Sequence, residues 1–239
     1  MRQRKLINTG LAAAVLLAGA AAWAVPQNQP QTPTPAERNA YQAARDESDA
    51  QAKIKLLDDF TTQYPDSPLL PETYADYYLA YFSLKNYSET IAYADKLVAL
   101  GDKVDPGSRI VALVSREIAY SEGCADSALQ TPEALAKTKD AAAQGLQMLS
   151  EWQKPADLPA NTPINVNMPN STPVNLTNEQ FAAQKRTFGI IFNQVAGVAE
   201  AGLKGGTVNC APPPPIDPAN FERMIEDLKA LDRQGPRVR

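Results

Sequence analysis

Proline restricts this chain more than any other residue. Fourteen of its 20 prolines fall in three stretches: four in residues 25–36, five in 154–177 and five in 211–218. Proline has no amide hydrogen to donate and pushes the residue before it out of the helical region, so regular structure has to stop at each stretch. Residues 25–35 read as an extended tether. Residues 155–176, rich in Asn, Thr and Pro, read as a long surface loop with no strand. Residues 204–216 carry Gly205-Gly206 and a run of four prolines and read as a second linker. The fold must come from what lies between.

Proline also marks where helices begin. Asp105-Pro106, Thr131-Pro132 and Asp217-Pro218 each set a capping side chain before a proline at the first helical position. Thr177-Asn178-Glu179-Gln180 has the spacing of a capping box. Apolar residues then recur at helical spacing, as in Phe188, Ile191, Phe192, Val195, Val198 and Ala199, and again in Phe221, Ile225, Leu228 and Leu231. The pattern predicts helices over 36–47, 50–64, 70–85, 87–100, 106–121, 132–152, 177–203 and 217–233. No segment alternates with period two, so the fold class is all-α. At 44% apolar residues the chain has enough to build a core.

The first 24 residues read as an address. Arg2, Arg4 and Lys5 precede an apolar stretch from Leu11 to Ala22, and Ala22-Trp23-Ala24 follows as a small-x-small cleavage site. This is the layout of a secretory signal peptide, residues 1–24, with a retained N-terminal anchor as the alternative. Cleavage would remove three positive charges and no negative ones, taking the net charge from −4 to −7. A periplasmic or secreted protein is expected, with no stable membrane insertion after cleavage.

Composition narrows the chemistry. The chain has no His, so His-dependent catalysis and His-ligated metal sites are excluded. Its two cysteines are not spaced as CxxC. A pI near 5.0 argues against a nucleic-acid partner. No phosphate loop, nucleophile elbow or EF-hand pattern is present. The acidic cluster Asp46-Glu47-Ser48-Asp49 reads as a solvated turn and Asp58-Asp59 as a solvent-facing pair. No catalytic residue, metal ligand or cofactor is expected.

The helices pair across short turns, and one pair carries a motif. Tyr74, Tyr77, Tyr78 and Tyr81 stand at spacing three, one, three; Tyr87 follows the Lys85-Asn86 turn; Thr90, Ala94 and Leu97 continue on the next helix. This hairpin resembles a tetratricopeptide repeat. Tyr78 is bulky where that family has a small residue and Ala94 is small where it has an aromatic, an exchange of volume that facing positions can absorb. Tyr64-Pro65-Asp66-Ser67 is similar to the ending of such units in exported bacterial proteins. Val111, Val114, Ser115 and Ile118 repeat the first-helix spacing, and Gly197 and Gly202 fall where a fourth first helix would place them.

The resemblance implies antiparallel hairpins stacked as a short right-handed solenoid over residues 36–203, capped by a C-terminal helix over 217–234; a plain helical bundle is the alternative. It further implies that partners are met by the inner face of first helices, here Ala75, Leu79, Phe82 and Ser83. By spacing, Tyr74, Tyr77, Tyr78 and Tyr81 are expected to be mostly core. First helices of successive units run parallel, which sets the ends bearing Cys124 and Cys210 on one edge; a disulfide between them is expected, with two free thiols as the alternative. The expected function is an exported, non-catalytic scaffold for a protein or peptide partner. The competing classes are a carboxylate-dependent, carbohydrate-active hydrolase on a helical scaffold and a structural part of an envelope assembly.

Overall fold

The computed structural model describes residues 32–153, 164–166, 174–176 and 178–210. The chain divides into two units, Met1–Pro30 and Gln31–Arg239, and every described residue belongs to the second. The expected signal peptide, most of the 25–35 tether, the Thr177 cap, Asp217-Pro218 and the 217–234 helix lie outside the described residues.

Seven α-helices run through the described residues: α1 (Pro35–Asp46), α2 (Ala50–Gln63), α3 (Leu70–Ser83), α4 (Tyr87–Ala99), α5 (Pro106–Gly123), α6 (Pro132–Glu151) and α7 (Asn178–Leu203). The starts of α1, α2, α4, α5 and α6 are set by side chains that accept from orphan amides, whereas α3 begins after Leu69 with no side-chain cap. Asp105 accepts from Ser108 N at 3.0 Å and Thr131 from Ala134 N at 3.2 Å, each before a proline that has no amide to leave unpaired. Asn86 caps α4 through Glu89 N. Two caps sit where the sequence suggested only linker or turn. Thr34 and Glu37 form a reciprocal capping box at α1, and Asp49 caps α2 through Ala52 N at 2.8 Å. Between α3 and α4 the chain reverses through Lys85 at φ 58°, in the left-handed region that glycine enters more easily, and Asn86 N closes back on Tyr81 O at 2.9 Å.

One expectation is corrected. Within 155–176 the segments Ile164–Val166 and Val174–Leu176 (β1 and β2) pair antiparallel, with Ile164 opposite Leu176 and Val166 opposite Val174. Pro163 and Pro173 immediately precede the two strands and none falls inside them, so no ladder amide is missing. Each three-residue strand is too short for an alternation to register. Apart from this pair, the regular structure of the described residues is helical.

The core is built around α5. All ten residues from 111 to 120 are buried, and α5 packs on α3, α4, α6 and α7. Val111, Val114 and Ile118 share one cluster with Ala75, Tyr78, Ala94, Phe188, Ile191 and Phe192. Each helix also packs on the next in sequence, and α1 and α2 close a separate cluster on α3 through Tyr41, Leu57, Phe60 and Tyr77.

The approach of α6 to α7 depends on Gly145. A Cβ there would run into ring carbons of Phe192, a fully buried side chain, whereas one at Gly189 would meet only Leu149 Cδ2 at 3.8 Å. Gly145→Ala is therefore expected to cost about 1–3 kcal/mol through overpacking. Gly189→Ala is expected to gain up to about 1 kcal/mol from helix propensity. Thermal melts of the two variants check the contrast; equal shifts would refute it.

Candidate functional site

The residues assigned by resemblance lie on one side of α3. Ala75 is only 7% exposed and belongs to the central cluster. Leu79 and Phe82 are half-buried against that cluster, and the Phe82 ring meets Tyr87 edge-on at 5.8 Å. Ser83 is exposed and donates its hydroxyl to Ala80 O at 2.8 Å. Leu79, Phe82 and Ser83 thus keep solvent-accessible surface, and Ala75 keeps almost none.

The opposite side of α3 carries an aromatic ladder. Tyr77 and Tyr81 are four residues apart, one turn above the other, and Tyr93 of α4 stacks on both, at 4.1 Å and 5.5 Å with interplanar angles of 17° and 21°. Tyr74 tilts against Tyr93 at 6.1 Å, and Lys96 Nζ lies 3.7 Å from the Tyr93 ring centre. Tyr77 is 1% exposed and its hydroxyl donates to Asp58 Oδ1 of α2 at 2.6 Å. Burial, then the Asp58 hydrogen bond, holds the Tyr77 phenol well above its ordinary range; burial, then Tyr81 and Asp58, pushes Tyr93 up to about 12. Burial, Glu89 and Asp58 raise Tyr81. Tyr77 and Tyr78 are core, as their spacing implied, but Tyr74 and Tyr81 are only half-buried. Spacing assigns a face; it does not say how far that face is covered.

A second polar group is sealed inside. Arg116 Nε donates to Asp95 Oδ1 at 2.7 Å, while its Nη1 reaches Glu117 Oε1 at 3.1 Å and Thr138 Oγ1 at 3.4 Å. The Glu117 side chain is 0% exposed, whereas that of Asp95 is 46% exposed. One guanidinium meets two carboxyl groups, and the exposed one keeps its charge more cheaply. Burial pushes Glu117 up to about 8, opposed by Arg116, so at neutral pH Glu117 is mostly the uncharged acid. Its Oε2 and the Tyr120 hydroxyl, one turn further on, have no hydrogen-bond partner among the described residues. Sequence reasoning missed this pair; its only signal was two adjacent charges inside the apolar run 110–120. A carboxyl sealed from solvent does not line a cleft for a substrate.

Cys124 and Cys210 form a disulfide with Cα atoms 5.7 Å apart. Cys124 is the buried C-cap of α5, and Gln130 Nε2 donates to its carbonyl at 2.8 Å. Among the described residues there is no group of three metal-ligating side chains, and no helix is long and apolar enough to cross a membrane. Comparison of the chain with family models, with curated proteins and with solved structures finds no match.

Proposed function

We propose that the protein is an exported, non-catalytic scaffold that binds a protein or peptide partner on stacked helical hairpins of the tetratricopeptide kind. The observation that carries this reading is the packing order: each helix packs on the next, and α3 packs on α5 and α5 on α7. Contact between alternate helices is what a solenoid of hairpins needs, because one hairpin cannot bury its apolar face alone. The disulfide favours an oxidising compartment, periplasmic or extracellular. Leu79 and Phe82, apolar and half-buried, are the partner contacts this reading assigns.

Affinity capture from envelope extracts tests it, with the parent compared to the Leu79→Ala/Phe82→Ala double variant. The parent is expected to retain a specific protein that the variant loses while still melting cooperatively. A parent that captures nothing specific but hydrolyses a glycoside or ester would overturn the proposal.

A further inference from the structure

The tyrosine ladder has three properties that together specify what it can bind. Its rings are fixed: Tyr77, Tyr81 and Tyr93 lie within 21° of parallel and are shared between two helices, so their faces are set before anything arrives. It is acidic: Asp58 and Glu89, both exposed, act electrostatically on Tyr81 and Tyr93. It already holds a cation: Lys96, one turn after Tyr93, sets its ammonium on that ring. With Tyr77 stacked at 4.1 Å on one face of Tyr93, Lys96 must take the other. Tyr81 remains half-exposed, and no cation of the described residues sits on it.

Asp58 is also prepared. One carboxylate oxygen accepts the hydroxyl of the fully buried Tyr77, which fixes the group at the surface and leaves its second oxygen for a cation. A carboxylate held in this way loses little freedom when it pairs. Arginine fits such a site better than lysine, because its planar guanidinium stacks on an aromatic face and presents several N–H donors to a neighbouring carboxylate.

We propose that this ladder is a docking site for an arginine side chain of an extended peptide partner, the guanidinium stacked on Tyr81 and paired with Asp58. It lies on the side of α3 away from Leu79 and Phe82 and deepens the scaffold reading, on which it rests, by naming the partner's chemistry.

The probe is a short unstructured peptide carrying two arginines, with the same peptide bearing glutamines as its control, titrated calorimetrically against the full chain. The arginine peptide is expected to bind, and the glutamine peptide to bind at least about tenfold more weakly. Tyr81→Leu and Asp58→Asn should each weaken the arginine peptide about five- to tenfold, the range that stacking and ion pairing at partly exposed sites supply. Asp58→Asn keeps an acceptor for Tyr77, so the fold is retained, and melting temperature checks this. Asp140→Asn removes the same charge from an exposed position on α6 and should change nothing. Equal binding of the two peptides, no binding of either, or an equal loss with Asp140→Asn would overturn the proposal. A partner captured from extracts that binds Tyr81→Leu as well as the parent would overturn the ladder while leaving the scaffold standing.

Discussion

Glu117→Gln is expected to flatten the pH dependence of folding stability between about pH 5 and pH 8 and to make the protein more stable than the parent above that range. The folded-state carboxyl ionises near 8, against an ordinary value of 4.5. Below about pH 4.5 both folded and unfolded chains carry the proton, and the stability contributed by the neutral acid is fully present. As pH rises, the unfolded chain releases its proton first while the folded chain keeps it, so the parent loses stability until Glu117 itself ionises, near 8. Each pH step of about one between those limits costs about 1.4 kcal/mol, so the whole window amounts to several kcal/mol. Glu37, Glu133 and Glu200 are held below the ordinary carboxylate range by their partners, so any effect of theirs falls below about pH 4.5, outside this window. Glutamine has nearly the same shape, keeps an acceptor for Arg116 and has no proton to lose. Denaturant melts at half-unit pH steps would show a falling curve for the parent and a flat one for the variant. Parallel curves would mean that Glu117 is already ionised in the folded state and that Arg116 holds its charge.

Helix α5 shows where sequence logic holds and where it stops. Asp105-Pro106 announced its start because a cap and its proline are one residue apart, a local relation that needs no neighbour. Its length was legible from apolar spacing. Its burial on every side was not, because that depends on α3, α4, α6 and α7 arriving around it. For the same reason Arg116 and Glu117 read as ordinary charges: the partner that makes Arg116 tolerable is Asp95 on another helix, 21 residues earlier. The tyrosines divide in the same way. Their spacing placed them on one face of α3, but Tyr93, which turns a row of rings into a ladder, comes from α4. The strand pair escaped because Ile164–Val166 and Val174–Leu176 are each shorter than any usable period. The cysteine pairing was reachable only through the expected parallel run of the helices that carry it.

Cys124→Ala/Cys210→Ala is expected to lower stability by about 4–5 kcal/mol, the chain-entropy value for a closed loop of about 87 residues. At about 2–4 °C per kcal/mol for a chain of this size, the melting temperature should fall by roughly 10–15 °C. Alanine is the proper replacement, since Cys124 is 1% exposed among Ile91, Tyr120, Leu129 and Leu135, and a serine hydroxyl there would add a desolvation penalty of its own. The bond spans 86 positions, and between its ends lie α6, the β1–β2 pair and α7. In the oxidised unfolded chain all of that remains looped, and cutting the bond releases it. A local effect should accompany the global one. Residues 204–210 have no helix or strand of their own, and Val208 is the apolar side chain by which they reach the cluster containing Cys124. Hydrogen exchange in this segment should accelerate in the double-alanine variant well before the helices respond. Alkylation of the protein isolated from cells without reduction, read by mass spectrometry, should add no label, and two labels per chain would show that the thiols are free in the cell. A double-alanine variant melting within about 2 °C of the oxidised parent would place the restraint elsewhere: the denatured chain would then hold these ends together without the bond, and the helices of α5–α7 would be keeping residual structure after the fold is lost.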